Sequence, residues 1–367
     1  MKVESIKSVL KDALLIADRV AGKHLSLPVL SQTLFLASEN GITLRATNLD
    51  LGVEITVPAK VAVEGAIAVP GAVLGNYLAL IQNERDVVIE LVGQNLAVTS
   101  GKHSTIIKCL PYEDFPSIPL IDRGAHASLD VRSLVIGMRS VIFSASLSDI
   151  KPEFASIYFF SDSGYLTLAA TDSSRLSEKR VPTKRIDDGI SFLLPIKNAS
   201  EIIRILDATE GIVDVYVSGN QASFIIKNIH ITSRLIDGLF PDYRQVIPKT
   251  IIAQATVLRD DLIHALKIAN IFSGKLQQMR LVIDPKEHRF EVGARSDDVG
   301  ETMTEVDAKL SGERVDLVFN QRFIADVLQI IPQDSVTLQS GGIGKPLIIR
   351  GTGEQGYLYL VMPMRIS

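Results

Sequence analysis

The segment Tyr77-Leu78-Ala79-Leu80-Ile81 returns as Ile202-Ile203-Arg204-Ile205-Leu206 and again as Val327-Leu328-Gln329-Ile330-Ile331. The step is 125 residues both times, from 77 to 202 and from 202 to 327. Every copy is apolar at its first, second, fourth and fifth positions, which is the spacing of an amphipathic helix. We therefore interpret the chain as one unit written three times.

Other landmarks recur on nearly the same step. They are Ala46-Thr47 with Ala170-Thr171, Phe115-Pro116 with Phe240-Pro241, and Pro70 with Pro195 and Asn320. Three units of this length account for nearly all 367 residues, so we expect no separate catalytic domain. The predicted domains are 1–124, 125–249 and 250–367, joined by short connections.

Within one unit the pattern predicts helix, strands, helix, strands. Apolar residues from Ile6 to Val20 fall at helical spacing before Gly22, and the repeated segment lies in a second helix near Val73 to Ile81. The strands are predicted at 32–37, 42–47, 52–57, 86–92, 96–100 and 105–110. Strands and helices that do not alternate as βαβ units indicate an α+β fold with two helices packed on antiparallel sheets in each domain.

The composition is that of a compact globular chain, with 46% hydrophobic and 22% charged residues. No run of about 20 apolar residues is present to cross a bilayer, so we expect no membrane partner. Charges within residues 2–7 make a secretory signal unexpected, and the single cysteine, Cys109, fits a reducing compartment. A net charge of −4 argues against wrapping of nucleic acid by sheer positive charge, but it allows a DNA-binding surface on which basic residues are segregated.

The motifs that could carry chemistry are weak. Gly351, Gly353 and Gly356 spell G-x-G-x-x-G, yet the 11 residues that follow hold no helix and second strand, so we expect a turn. In the segment 341–346, Pro346 stands where a phosphate loop needs Ser or Thr, and this too is predicted to be a turn. The six histidines show no metal-ligand spacing, and paired aspartates such as Asp260-Asp261 are typical of helix starts. We expect no enzyme activity, no metal and no cofactor.

Three segments stand out from the rest of the chain. They are 170–176 (ATDSSRL), 235–248 (LIDGLFPDYRQVIP) and 359–367 (YLVMPMRIS). In this order, and together with the triple repeat, they resemble the bacterial DNA polymerase III β subunit family, the sliding clamps. The similarity extends over the full length of the chain.

The resemblance implies a head-to-tail homodimer that closes six domains into a ring around double-stranded DNA, without sequence preference. Such a protein is a non-enzymatic processivity factor. It implies as partners the replicative DNA polymerase catalytic subunit, an ATP-dependent clamp loader and repair proteins, in the bacterial cytoplasm at the nucleoid. These partners would present a short linear motif that contains a glutamine and a Leu/Phe pair. Three like units with unlike ends can close into such a ring.

The resemblance also implies three sets of functional residues. The partner-peptide pocket would comprise Phe154, Thr171, Ser174, Arg175, Leu176, Pro241, Val246, Val361, Met362, Pro363, Met364 and Arg365. The DNA channel would be lined by Lys11, Lys23, His24, Arg139, Lys197, Arg204, Lys267 and Arg322. The dimer interface would place Thr105 and Ile107 against Ile271 and Phe272.

Two alternatives remain open on the sequence alone. One is a repeat scaffold that binds peptides but never encircles DNA, and the other is a phosphate-binding enzyme built on the C-terminal glycines. Retention on circular but not linear DNA distinguishes the first, and nucleotide calorimetry tests the second.

Overall fold

The computed structural model describes residues 1–22, 27–82 and 84–364. Within these ranges each repeat holds two α-helices and nine strands, which confirms the predicted α+β fold of three similar units. The helices are α1 (Lys7–Val20), α2 (Gly71–Leu80), α3 (Val131–Ile142), α4 (Ile196–Leu206), α5 (Arg259–Ile271) and α6 (Gln321–Ile330). None of these helices is long and apolar enough to span a membrane.

The strands follow in chain order. The first repeat contains β1 (Lys2–Ile6), β2 (Thr33–Ser38), β3 (Gly41–Thr47), β4 (Leu51–Val57), β5 (Ala59–Val63), β6 (Gly65–Val69), β7 (Asp86–Val92), β8 (Asn95–Ser100) and β9 (His103–Lys108). The second contains β10 (Ala125–Asp130), β11 (Ser156–Asp162), β12 (Tyr165–Thr171), β13 (Arg175–Pro182), β14 (Arg185–Ile186), β15 (Ser191–Pro195), β16 (Ile212–Ser218), β17 (Gln221–Ile226) and β18 (Ile229–Arg234). The third contains β19 (Ala253–Leu258), β20 (Gln278–Asp284), β21 (Arg289–Ser296), β22 (Gly300–Glu305), β23 (Ala308–Gly312), β24 (Val315–Asn320), β25 (Ser335–Ser340), β26 (Leu347–Gly351) and β27 (Tyr357–Val361).

The repeated apolar segment forms the second helix of each repeat, as predicted. The landmark position before it is the N-cap in all three copies, occupied by Pro70, Pro195 and Asn320. A proline there has no N–H to leave unsatisfied, whereas the Asn320 side chain accepts a hydrogen bond from the Arg322 amide at 3.0 Å. The glycine turns at 341–346 and 351–356 connect strands, in agreement with the sequence prediction.

Contacts divide the chain into two compact units. The first unit comprises Met1–Val135 and Thr183–Asp237, and the second comprises Ile136–Pro182 and Gly238–Ser367. Residues of the predicted middle domain thus fall in both units, because continuous sheets run across the repeat boundaries. The boundaries after residues 124 and 249 stay a prediction.

Sheet pairing follows one rule from repeat to repeat. In the first unit, β4 of repeat one pairs antiparallel with β18 of repeat two. In the second unit, β13 of repeat two pairs antiparallel with β27 of repeat three. In both pairs the fourth strand of one repeat pairs with the ninth strand of the next repeat. The remaining fourth strand, β22, and the remaining ninth strand, β9, are edge strands of the sheets β22-β21-β20-β24 and β5-β1-β7-β8-β9. Each therefore presents a row of backbone groups without a neighbouring strand among the described residues.

Candidate functional site

The predicted peptide pocket falls within the second unit, where three strands align its central residues. Thr171 on β12 lies opposite Leu176 on β13, and Leu176 lies opposite Leu360 on β27. Residues that face each other across antiparallel strands share one face of the sheet. These three side chains therefore form a row on the sheet face opposite α5 and α6, which we call the outer face.

A tight turn between β12 and β13 holds this row in place. The Thr171 hydroxyl donates to the Arg175 carbonyl at 2.6 Å, and the Asp172 carboxylate accepts from the amides of Ser174 and Arg175 at 2.9 and 3.0 Å. Ser173 has a φ of 75°, a left-handed conformation that the surrounding hydrogen bonds maintain. The turn ends with the Ser174 carbonyl accepting from the Met362 amide at 2.8 Å, which joins it to the C-terminal segment.

Leu176 belongs to a small apolar cluster on the outer face. The buried members are Ala169, Leu176, Tyr243, Ile348, Leu358 and Leu360, with Tyr158, Phe160, Phe240 and Ile247 packed against them. The loop that carries Pro241 and Val246 contributes Tyr243 to this cluster. Val246 is 50% exposed and Met362 is 39% exposed, so apolar surface remains open beside the buried row.

Phe154 lies at the same end of this sheet. It precedes β11 by two residues, and continuing the β11–β12 register beyond Tyr158 and Ala169 brings that end of β11 beside Thr171. Lys151 lies 5.3 Å from the centre of the Phe154 ring. The structure thus places Phe154 near the Thr171 end of the row and joins Met362 to the same turn through Ser174. Pro241 lies in the loop between Phe240 and Tyr243, which pack against the cluster that contains Leu176.

Arg175 and Val361 lie on the other face of the same sheet. They are directly opposite each other on β13 and β27, and Val361 is fully buried in the core that packs against α5 and α6. The Arg175 guanidinium lies 4.5 Å from the Phe323 ring centre and donates to Asp172 at 3.0 Å and to Asp326 at 2.7 Å. Burial disfavours its charged form, but these two carboxylates outweigh burial and raise the Arg175 pKa. Arg175 therefore stabilises the turn between β12 and β13 from the sheet face that packs against α5 and α6.

The C-terminal segment continues past β27 along a second strand. After Met362 has bonded to the turn, the Met364 amide donates to the Val318 carbonyl on β24 at 2.7 Å. Pro363 and Met364 are half-buried. Unbranched methionines adapt to varied apolar groups, which suits a wall that receives different side chains. Arg365 lies outside the described residues.

Tyr243 anchors the loop above the cluster. Its hydroxyl donates to the Glu178 carboxylate, and its ring is 6% exposed. Burial first, and then the Glu178 charge, raise the Tyr243 pKa well above its ordinary value. The phenol stays protonated and keeps this hydrogen bond across the ordinary pH range.

The predicted DNA-channel residues that the structure describes all lie on helices. They are Lys11 on α1, Arg139 on α3, Lys197 and Arg204 on α4, Lys267 on α5 and Arg322 on α6. Lys267 and Arg322 line one cleft of about 320 Å³ between α5 and α6. Arg204 donates to Glu201 at 2.5 Å, and Lys11 lies 3.3 Å from Asp12. Lys23 and His24 lie outside the described residues.

The predicted dimer residues differ in exposure. Ile107 on β9 is only 6% exposed, whereas its neighbour Ile106 is 67% exposed. Alternation along the strand points Ile107 into its own domain, so Ile106 is the apolar side chain that β9 offers outward. Ile271 at the end of α5 is 65% exposed, and Phe272 packs partly against the core. The sequence prediction named Ile107 and not Ile106, because the face of β9 that is buried depends on its pairing with β8. The assignment of Thr105, Ile107, Ile271 and Phe272 to a dimer interface stays a prediction.

Among the described residues, no group of three or more His, Cys, Asp or Glu side chains is arranged to hold a metal ion. Cys109 is half-buried, and burial raises the pKa of its thiol. A raised pKa leaves little thiolate near neutral pH, so Cys109 lacks the character of a reactive nucleophile.

Three family models match the chain in succession. They are the N-terminal domain of the DNA polymerase III beta subunit over residues 1–119, its central domain over 128–242 and its C-terminal domain over 244–365. Together they cover almost the entire chain.

Relatives and solved structures match over full length. The beta sliding clamp of Synechococcus elongatus is 26% identical and is covered completely by a match that spans 100% of this chain. That of Halalkalibacterium halodurans is 26% identical over 95% of each chain. The crystal structure of the DNA polymerase III beta subunit of Thermotoga maritima is 28% identical, with a TM-score of 0.93 and 100% of both chains covered. The Bacillus subtilis sliding clamp structure, at 22% identity and a TM-score of 0.94, shows the same fold.

Proposed function

The chain belongs to the DNA polymerase III beta subunit family, and we propose that it works as a ring that encircles duplex DNA and tethers replication proteins to it. As a member of this family it is a sliding clamp, the non-catalytic processivity subunit of a DNA polymerase. It functions in DNA replication, with DNA, polymerase and a second copy of itself as partners. The finer steps of this proposal concern ring closure, the DNA-facing residues and the docking pocket.

One observation, the pairing of strands between successive repeats, supports the proposed ring. The chain pairs β4 with β18 and β13 with β27, each time joining one repeat to the next. A third pairing of the same kind would join the fourth strand of repeat three, β22, to the ninth strand of repeat one, β9, and both are edge strands. When β22 of one protomer pairs with β9 of its partner, the same step is made between chains. Two such contacts close a head-to-tail dimer of six domains, as heterologous interfaces do when the rotation fits.

Charge on the two edges supports this pairing. Lys102 precedes β9 and Lys108 is its last residue, whereas Glu301 and Glu305 lie on β22, and all four are exposed. Opposite charges favour the intended partner, and like charges disfavour β9 on β9 or β22 on β22. The exposed Ile106 and Ile271 supply apolar surface near these charges, with Thr105 and Phe272 beside them.

The helices are the surfaces we assign to DNA. Their basic residues give salt-sensitive phosphate contacts without sequence preference, which is what sliding requires. A closed ring retains DNA by topology, so a chain with a net charge of −4 can still serve. α2 carries no Lys or Arg, so we assign unequal shares of DNA contact to the helices.

We assign the docking of partners to the outer-face pocket of the second unit. Its open apolar surface around Leu176, Pro241 and Met362 fits the Leu/Phe side chains of a short linear motif. The polymerase catalytic subunit, the ATP-dependent clamp loader and repair proteins would compete for it. We place this activity in the cytoplasm on nucleoid DNA, with domains divided at 1–124, 125–249 and 250–367.

Retention on DNA of two shapes tests the function. The clamp is loaded by its cognate loader with ATP onto a nicked circular plasmid, and the complex is passed through a gel-filtration column. We expect clamp to elute with the circle and to be released when a restriction enzyme linearises the plasmid. A chain that leaves circles and linear molecules equally fast is the peptide-binding scaffold and does not encircle DNA.

A further inference from the structure

A second cleft lies on the outer face of the second unit, beside the peptide pocket. It measures about 380 Å³, within the usual range of about 300–1,000 Å³ for ligand sites. Its lining includes Tyr158 and Phe160 from β11 and Phe240, Pro241 and Arg244 from the loop before β19. Tyr158, Phe160 and Phe240 also pack against the apolar cluster that contains Leu176, so the cleft adjoins the predicted peptide pocket.

The walls of this cleft are aromatic. The Tyr158 ring stacks on Phe160 with centroids 4.8 Å apart and on Phe240 at 5.0 Å, with interplanar angles of 21° and 18°. All three rings are only partly buried. Partly open ring faces of this kind accept a further ring in an offset-stacked or edge-to-face arrangement.

The rim of the cleft carries the Arg244 guanidinium beside two carboxylates, those of Asp162 and Asp242. The Arg244 guanidinium lies 5.6 Å from the Phe160 ring centre and donates to Asp162 at 2.7 Å, while Arg180 approaches Asp162 at 3.7 Å. A hydrogen bond from Ser163 holds the Asp162 pKa below its ordinary value; burial opposes this, and the charges of Arg244 and Arg180 add to the lowering. Arg244 is thereby fixed over the cleft, where a guanidinium favours the face of an aromatic side chain.

The sheet register sets the distance between the two sites. Phe160 lies opposite Thr167, four residues along β12 from Thr171 in the pocket row. Four residues of strand span about 13 Å. An extended peptide covers the same distance in about four residues.

We propose that this cleft is a second anchor site for the same partner peptide, and that it takes an aromatic side chain about four residues from the Leu/Phe pair. The proposal rests on the proposed function of the neighbouring pocket. It gives the chain a means of ranking partners that share the short motif but differ in the flanking residue.

Calorimetric titration with synthetic peptides tests the proposal. A short peptide carries a glutamine and a Leu-Phe pair. Two longer peptides place a tryptophan about four residues before or after the pair, and each has a twin with alanine in that place. We expect one tryptophan peptide to bind about tenfold more tightly than its alanine twin, since a stacked aromatic contact with its buried area contributes that much.

Two variants test whether the cleft is the source of the tryptophan peptide's higher affinity. Phe160→Ala and Arg244→Ala are expected to abolish the tryptophan advantage, and Arg244→Ala is expected to leave the short peptide's affinity unchanged. Tyr112→Ala removes an exposed aromatic residue in the first unit and is expected to keep the advantage. Thermal midpoints confirm that each variant is folded.

The outcomes separate this proposal from the function it rests on. If the short peptide fails to bind wild type, the pocket assignment is wrong and the second anchor falls with it. If the short peptide binds but both tryptophan peptides match their twins, or if the advantage survives in both cleft variants, the pocket stands and the second anchor is refuted.

Discussion

Two adjacent residues in the 170–176 segment do different work. Leu176 points to the outer face, where it is buried in the apolar cluster of the proposed peptide pocket, and Arg175 points to the helix face, where it donates hydrogen bonds to Asp172 and Asp326. The sequence marks both as one motif, because motif resemblance does not tell the two faces of a strand apart. Their substitution should therefore give different phenotypes, with Leu176 altering peptide affinity and Arg175 altering stability.

Arg175→Met tests the supporting role. It leaves the Asp172 and Asp326 carboxylates without their guanidinium partner at a site where the arginine side chain is 11% exposed. Breaking a largely buried pair costs about 3 kcal/mol, so the thermal midpoint should fall by several degrees. Arg322→Met removes a 70%-exposed arginine 4.0 Å from the same Asp326 and should cost under about 0.5 kcal/mol. Equal shifts in scanning calorimetry would contradict the assignment.

Asp316 makes a pH-dependent contribution to stability. Hydrogen bonding to Arg280 lowers the Asp316 pKa, with an Arg280 Nε to Oδ1 distance of 2.8 Å. A lowered folded-state pKa stabilises the fold above the ordinary carboxyl pKa of about 3.9 and ceases to do so as pH falls through the folded value. Asp316→Asn should lower the thermal midpoint slightly at pH 7, by the equivalent of under about 1 kcal/mol, and the gap should close in acid. A gap that widens on acidification would reverse the sign and refute the argument; Asp18→Asn, on an exposed part of α1, serves as the control.

Edge strands decide association at the scale of elements. Ile106→Glu places an acidic side chain on β9, where β22 of the partner would bring Glu301 and Glu305 close. We expect light scattering to give about twice 40.0 kDa for wild type and a monomer for the variant. Val63→Glu makes the same change on β5, at the opposite edge of the same sheet, where Val63 is 54% exposed. If both variants keep the dimer mass, β9 is not the closing edge.

The sequence predicted the helices better than the short strands. Apolar spacing located α1 and α2 within one or two residues, since burial of one helix face leaves a regular pattern. β1, β5 and β6 were missed. β1 is five residues with Lys2 and Glu4 exposed, and β5 is an edge strand with no buried position, so neither carries the apolar alternation that marks a half-buried strand. The placement of the dimer edge on β9 stays a prediction, and the identification of Ile106 as its outward apolar residue required the register with β8.

At the scale of the whole molecule, we expect ring topology to determine retention on circular DNA and surface charge to determine affinity for linear DNA. Lys267→Ala with Arg322→Ala removes two cations from the cleft between α5 and α6. If each contacts a phosphate, the slope of log affinity against log salt for a linear duplex should fall by about two. Retention on a nicked circle should hardly change, because a closed ring is held by its path around DNA. The matched pair Lys309→Ala with Lys345→Ala, both exposed on β23 and a surface turn, should change neither quantity. An unchanged salt slope in the helix variant would remove Lys267 and Arg322 from the DNA surface, whereas rapid loss from circles would mean that contact, and not closure, retains the protein.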